Sequence, residues 1–141
     1  MTLSEHLLDL CRRHDLVAIY AFGSRADEAA ARVRGGVAEP EHPASDLDVG
    51  VQPRPGRRLG AFEKVRLAQA LEDLFGVSRV DLVVLNEAPA FLAYDVIRGE
   101  ILACTDPDVQ ARYELYVLAR AGDLAHWRRE RVRAIFEEGA R

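Results

Sequence analysis

The sequence predicts an α/β fold in which helices pack on a small mixed β-sheet. Short apolar runs typical of strands alternate with segments whose apolar residues recur at helical spacing. Clusters of Gly, Pro, Asn and Asp separate these segments, as turns require. The 141 residues, 49% of them hydrophobic, are enough for one domain with its own core. We therefore expect a single domain over 1–141, with a core at about 15–104 and a helical C-terminal segment at about 106–138.

The chain is predicted to begin with a helix and a buried strand. Thr2 and Glu5 have the spacing of a capping box with Thr2 as the N-cap, so we expect the first helix at about 3–14. The run 16–22 is short, apolar and bounded by polar or small residues. Such a run is typical of a strand that is buried on both faces.

The segment 25–44 is the least regular part of the sequence. Its alanine-rich part, 27–33, predicts two turns of helix, and a Gly-Gly pair and two prolines then end any helix. We expect a surface loop to follow. A second strand is predicted from about 46 to 52, where a Pro-Arg-Pro-Gly sequence stops it.

The second half of the core continues the alternation of helices and strands. We predict a helix at about 59–75 closed by Gly76, a strand at about 79–86, a helix at about 89–98 and a short edge strand at 101–104.

The C-terminal segment is predicted to contain two helices. Pro107 lies near the first position of the earlier one. Gly122 and Asp123 are expected to interrupt it, with Asp123 capping a second helix that runs to about Glu138. The arginine-rich run 128–131 is typical of a solvated helix face, and it is also suited to an acidic partner.

Two aspartates in the second predicted strand carry the strongest chemical signal. Asp46 and Asp48 are two residues apart, so in a strand both project from one face, and the apolar Leu47, Val49 and Val51 cover the other face. Adjacent carboxylates repel each other unless a cation lies between them. A hard divalent cation, Mg²⁺ above all, meets that need.

The neighbouring motifs extend this prediction to nucleotidyl transfer. That reaction uses two metal ions about 3.5–4 Å apart. The Gly23-Ser24 turn, which ends the first strand, offers free N–H groups and a hydroxyl for phosphate oxygens. Asp81 opens the third predicted strand, and a neighbouring strand lies about 4.8 Å away, so its carboxylate is the candidate third metal ligand.

The motifs Gly23-Ser24, Asp46-Leu47-Asp48 and Val80-Asp81-Leu82-Val83 resemble those of the minimal nucleotidyltransferases in the DNA polymerase β superfamily. More narrowly, the chain resembles the MNT antitoxins that are paired with HEPN-domain toxins. The resemblance covers most of residues 15–104. It implies a nucleotidyltransferase-like fold and a cytoplasmic enzyme that forms a hetero-oligomer with a HEPN toxin.

The same resemblance implies roles for individual residues. Asp46, Asp48 and Asp81 would be the catalytic carboxylates and would bind two Mg²⁺ ions. Gly23 and Ser24 would hold the phosphates of ATP. The implied reaction is the transfer of AMP from ATP to a tyrosine of the toxin, which silences the RNase activity of the toxin.

One departure from the family pattern concerns the loop after the turn. Residues 25–45, 21 in all, separate Ser24 from Asp46, where the family motif has about ten. Closure of a longer loop adds little free energy, so the two motif halves can still meet. The loop also offers arginines for the triphosphate, with Arg25 next to the turn and Arg32 and Arg34 further on.

Three other functions remain as alternatives. The long loop is compatible with a catalytically weak or inactive protein that neutralises its partner by binding alone. A transferase acting on small molecules such as aminoglycosides ranks lower, because such enzymes need a further domain for the acceptor. A polymerase ranks last, since the formal net charge is −4 and the sequence offers no basic channel for nucleic acid.

Bulk properties exclude other classes of protein. The isoelectric point of about 5.6 argues against non-specific nucleic-acid binding. No apolar stretch approaches the ~20 residues that span a bilayer, and no signal peptide is recognisable. Cys11 and Cys104 have no zinc-like spacing and are expected to be reduced thiols of a cytoplasmic protein.

Overall fold

The computed structural model describes residues 1–36 and 45–139, which form one β-sheet with helices on both faces. The strands are β1 (Leu16–Phe22), β2 (Leu47–Pro53), β3 (Val80–Val84) and β4 (Glu100–Cys104). The helices are α1 (Leu3–His14), α2 (Ala26–Val33), α3 (Ala61–Phe75), α4 (Ala90–Ile97) and α5 (Pro107–Gly139). The predicted loop with its two prolines, at 37–44, lies outside the described residues.

The sheet is mixed, as predicted, with strand order β3-β2-β1-β4. β1 is antiparallel to both β2 and β4, whereas β2 and β3 run parallel. β1 is interior, and its first six residues are buried, which confirms a strand covered on both faces. β4 lies at the edge, also as predicted.

Each face of the sheet has its own apolar core. Leu47, Val49 and Val51 are at most 1% exposed and belong to the core formed with α1, α2 and α3. On the other face, Tyr20 and Val96 belong to a smaller core that includes residues of α4 and α5. The alternation along β2 therefore follows the prediction: its apolar residues face one core, and its polar residues face the other side.

The predicted start of α1 and the predicted end of α3 are also confirmed. The backbone N–H of Glu5 donates to Thr2 Oγ1 at 3.2 Å, and the backbone N–H of Thr2 donates to Glu5 Oε2 at 3.4 Å, which completes the capping box of α1. α3 ends at Gly76, whose φ of +62° is the left-handed conformation expected after a helix.

The predicted break at Gly122 and Asp123 is wrong, because α5 is one helix of 33 residues from Pro107 to Gly139. A glycine inside a helix costs only about 1 kcal/mol relative to alanine, and strong helix formers flank this one. Ala121 is the last buried residue within 107–137, and beyond it the helix continues past the core.

Two smaller differences concern element ends. The third strand is shorter than predicted and passes into a 3₁₀ turn at Leu85–Glu87. The helix predicted from 59 begins at Ala61. Among the described residues, no helix combines the length and apolarity needed to cross a membrane.

Candidate active site

The Gly-Ser turn and the central aspartate lie in contact at the end of β1. Phe22, the last residue of β1, pairs with Asp48 of β2. Gly23 follows with a φ of +74°, and a Cβ built on it would collide with Asp48 Oδ2. Only glycine allows both the backbone conformation and this close approach. The two halves of the predicted motif therefore meet, although the loop between them is long.

The turn also has the geometry of an anion site. Gly23–Arg25 forms a 3₁₀ turn that leads directly into α2 at Ala26. The first N–H groups of a helix lack partners within the helix, and they attract anions. Ser24 is exposed at this position, so its hydroxyl is open to a ligand. The turn can thus present both N–H groups and a hydroxyl to phosphate oxygens.

A cleft of about 540 Å³ opens beside the turn and is lined by Gly23 and Asp48. The other charged residues of its wall are Asp27, Asp95, Glu100 and Arg98. Four carboxylates and one arginine give the cleft an excess of negative charge, which favours cations.

Sequence reasoning missed the residues that the turn between α4 and β4 contributes to this cleft. Gly99 packs against the end of β1 so closely that a Cβ there would collide with the carbonyl oxygen of Ala21. This contact brings the flanking Arg98 and Glu100 to the cleft. The available signal was a glycine between a helix and a strand, flanked by two charged residues.

Asp81 lies beside Asp48, as predicted. The two residues are direct partners in the parallel pairing of β2 and β3. In a parallel pair, partners project from the same face of the sheet. Burial raises the pKa of Asp48, and the negative charges of Asp81 and then Asp46 raise it further. The three carboxylates therefore interact electrostatically.

Asp46 departs from the predicted geometry. β2 begins at Leu47, so the alternation of a strand does not set the direction of the Asp46 side chain. Its Oδ2 lies 3.5 Å from Nε of Arg79, the residue just before β3. Within 1–36 and 45–139, no three acidic, histidine or cysteine side chains come close enough together to bind one metal ion.

The donor set nevertheless fits Mg²⁺. Carboxylate oxygens are the ligands that this ion prefers. A cation beside Asp48 and Asp81 would relieve the repulsion that raises the pKa of Asp48. The pair between Asp46 and Arg79 is exposed, and such pairs contribute only about 0–1 kcal/mol, so Asp46 can exchange its arginine for a cation.

Arg25 is buried and does not line the cleft. Its Nε and Nη2 donate to the two carboxylate oxygens of Glu28 at 2.8 and 3.1 Å. Its Nη1 donates to the carbonyl of Ser45 at 3.1 Å. The guanidinium that was predicted to bind the triphosphate instead ties α2 to the residue that precedes Asp46.

The other predicted arginines are also outside the cleft wall. Arg32 donates to the carbonyl of Phe75 and lies over its ring, 5.5 Å from the centroid. Arg34 is exposed at the end of α2. Arg98 is the arginine that lines the cleft among the described residues.

Comparison with known proteins gives one family and a set of solved structures. The family model "Polymerase beta, Nucleotidyltransferase" matches residues 5–108. No curated protein matches the chain. A toxin-antitoxin crystal structure with AMP-PNP is similar at 23% identity and a TM-score of 0.66, covering 94% of this chain and 98% of that chain.

A second solved structure contains a tri-AMPylated HEPN toxin of Shewanella oneidensis in complex with its MNT antitoxin. It is similar at 21% identity and a TM-score of 0.62, covering 95% of this chain and 96% of that chain. The MntA-HepT toxin-antitoxin structure has the same identity and TM-score, and covers 95% and 97%. At these identities, the likeness concerns the fold.

Proposed function

The chain belongs to the polymerase beta nucleotidyltransferase family, and we propose that it is the cytoplasmic antitoxin of a HEPN/MNT pair, transferring AMP from ATP to a tyrosine of its toxin. The observation that carries this proposal is the contact between Gly23 and Asp48 at an acidic cleft. The solved neighbours support the choice of nucleotide and partner, since one holds AMP-PNP and another an AMPylated HEPN toxin.

In the proposed reaction, the phenolic oxygen of the tyrosine forms a bond to the α-phosphorus of ATP, and the bond from that phosphorus to the β-bridging oxygen breaks. Pyrophosphate leaves, and the phenolic proton is released. The N–H groups at Gly23 and Ser24 hold the phosphate tail. Arg98, which also lines the cleft, adds a positive charge.

The three carboxylates of the site have different proposed roles. Asp46, Asp48 and Asp81 would hold two Mg²⁺ ions, which supply charge neutralisation at the α-phosphate and lower the pKa of the attacking hydroxyl. Asp81 is exposed on the edge strand β3, where the side chain of a partner protein can approach. Asp48 is less exposed and lies against the turn, on the side of the phosphate tail.

The distal part of α5 provides a surface for the partner. We call it the distal stripe, and it consists of Leu124, Trp127, Val132 and Ile135, which are 39%, 55%, 51% and 60% exposed. It continues the helix face that packs on the core through Val117 and Ala121. An exposed apolar stripe that nothing in the described part of the chain covers is typical of a protein interface.

The charge beside the distal stripe indicates the chemistry of the partner. Residues 128–133 contain four arginines and one glutamate, whereas the whole chain has a net charge of −4. That glutamate, Glu130, is itself paired with Arg133 at 3.0 Å. Opposite charges guide association, so the matching surface of the HEPN toxin is expected to be acidic around an apolar centre.

The decisive experiment follows label from α-³²P-ATP onto the cognate HEPN partner in the presence of Mg²⁺. Asp48→Asn, which removes the charge but keeps the shape, is expected to lower the transfer rate by about 100-fold or more. Asp73→Asn, an exposed position on α3, is the matched control and is expected to transfer at the wild-type rate. Full activity of Asp48→Asn would refute the proposed chemistry.

A second candidate function is neutralisation of the toxin by binding alone. The pairing of Asp46 with Arg79, and the absence of a three-ligand cluster within the described residues, favour it. The double variant Asp46→Asn/Asp48→Asn separates the two functions when growth rescue and complex formation are both measured. Full rescue indicates binding alone, whereas an intact complex without rescue indicates AMP transfer.

A further inference from the structure

A second cavity, of about 380 Å³, lies on the same face of the sheet as the candidate active site. Asp48, Gly50 and Gln52 face this side in turn along β2, and Gln52 lines the second cavity. Asp48 and Gln52 are four positions apart along the strand, which corresponds to about 13 Å. Between them, Gly50 is covered by Val96 of α4, since a Cβ on Gly50 would collide with the Val96 side chain. The two cavities are therefore separate.

Gln52 is the unusual residue of this cavity. It is only 5% exposed, and its Oε1 is buried without a hydrogen-bond partner in the described part of the chain. Buried amide oxygens are nearly always paired, because the unpaired state is unfavourable. The side chain of Gln52 forms part of the cavity wall. A bound N–H donor would supply the missing partner.

The walls of the cavity are suited to a flat ring. Pro53 and Pro55 contribute apolar surface from the turn that follows β2, and Tyr113 and Tyr116 contribute aromatic rings from α5. The two tyrosine rings are neighbours, with centroids 6.4 Å apart and an angle of 42° between their planes. Pockets of this size and composition are typical of small-molecule sites.

The charges in the wall point to an anion. Arg54 and Arg112 are the charged residues that line the cavity. Arg54 is already bound to Asp15 at 3.1 Å and to Asp106 at 3.6 Å. Arg112 forms no ion pair with any residue that the structure describes, and it is exposed at the rim. It is thus free to pair with a carboxylate of a ligand.

We propose that this cavity binds a small planar aromatic acid that carries a ring N–H. The ring packs against Tyr113, Tyr116 and the two prolines, the N–H donates to Gln52, and the carboxylate pairs with Arg112. This site is distinct from the cleft at Asp48 and does not depend on the proposed AMP transfer.

The test uses three related probes and the full chain, with binding followed by NMR chemical shifts. Indole-5-carboxylate has both the donor and the charge at opposite ends of the ring system. Naphthalene-2-carboxylate lacks the donor, and indole-5-carboxamide lacks the charge. We expect indole-5-carboxylate to bind saturably. We expect each of the other two probes to bind at least about fivefold more weakly.

Two variants locate the binding. Arg112→Gln is exposed and is expected to fold normally but to weaken indole-5-carboxylate about fivefold or more. Gln52→Leu is expected to remove the preference for indole-5-carboxylate over naphthalene-2-carboxylate. Arg129→Gln, exposed on the same helix, is the matched control. Absence of saturable binding, or equal binding by the wild type and Arg112→Gln, would overturn the proposal.

Discussion

The carboxylate of Asp48 occupies the space in which any side chain at Gly23 would have to lie. The φ of +74° at Gly23 adds a second restriction, because residues with a Cβ rarely adopt it. The turn after β1 can therefore lie against Asp48, near the start of β2, only because residue 23 has no side chain. This relationship leads to the first prediction.

Gly23→Ala is expected to reduce both Mg²⁺-dependent ATP binding and AMP transfer by about tenfold or more, since displacement of a reacting group by 1 Å can lower a rate about 100-fold. The methyl group would push the Asp48 carboxylate away from the turn. Isothermal titration with a non-hydrolysable ATP analogue and the label-transfer assay measure the two effects.

Gly56→Ala is the matched control for that variant. Gly56 has a similar φ of +83°, but a Cβ there would have nothing within 4 Å. Both variants are expected to lose about 1 kcal/mol or more of folding stability because of their backbone conformation. Only Gly23→Ala should lose nucleotide binding. An equal loss in Gly56→Ala would show that stability, and not the contact with Asp48, is responsible.

The second prediction concerns the ion pair between Arg25 and Glu28. Both side chains are nearly buried, at 9% and 11% exposure, and breaking such a pair costs about 3–5 kcal/mol. Glu28→Gln is therefore expected to lower the unfolding temperature and to slow AMP transfer, because Arg25 also holds the carbonyl of Ser45 next to Asp46.

The same variant distinguishes two roles for Arg25. If Arg25 bound the triphosphate directly, Glu28→Gln would free the guanidinium and raise the affinity for ATP. If Arg25 positions the segment before β2, Glu28→Gln should lower the maximal rate with little change in ATP affinity. Arg34→Lys, exposed at the end of α2, is the control and should change neither quantity.

The meeting of the turn and Asp48 could be predicted because it depends on strand pairing. Phe22 and Asp48 are partners in the ladder between β1 and β2, so the loop between the strands has no influence on their distance. Element positions followed from hydrophobic periodicity, which is set by burial against the two cores.

Two of the remaining features depend on specific side-chain contacts, which hydrophobic periodicity does not reveal. Arg25 was assigned to phosphate because it follows the turn, yet Glu28 and Ser45 bind it first. Arg79 engages Asp46 only because β3 runs parallel to β2. The continuity of α5 through Gly122 reflects the local balance of helix propensities, in which a single glycine is a small term.

The third prediction is a pH dependence of stability that involves Glu63. Burial favours the neutral form, but hydrogen bonds from His14 at 3.0 Å and Arg57 at 2.7 and 2.8 Å hold the pKa of Glu63 below its ordinary value of 4.5. A carboxylate with a lowered pKa stabilises the fold fully above that ordinary value. This contribution is lost as the pH falls through the lowered pKa.

Thermal unfolding of the wild type and of Glu63→Gln across pH 3–7 measures this effect. The wild type should be more stable near neutral pH, and the difference should shrink as the pH falls below about 4.5. Glu72→Gln on the same helix is the control. A difference that stays constant down to pH 3 would contradict the prediction.

The fourth prediction tests the distal stripe of α5. Trp127 is 55% exposed, and Cζ of Arg131 lies 5.1 Å from the centroid of its ring. Exposed aromatic residues of this kind often dominate the affinity of an interface. Trp127→Ala is expected to weaken the complex with the HEPN toxin by about 2 kcal/mol or more, roughly 30-fold in Kd. Leu115→Ala, at an apolar residue that is 67% exposed on the other side of α5, is the control and should bind normally. Both variants should stay folded, since neither side chain is buried, so circular dichroism and the Kd from interferometry separate folding from binding. Equal affinity of Trp127→Ala and the wild type would place the toxin on another surface and leave the chemistry at Asp48 untouched.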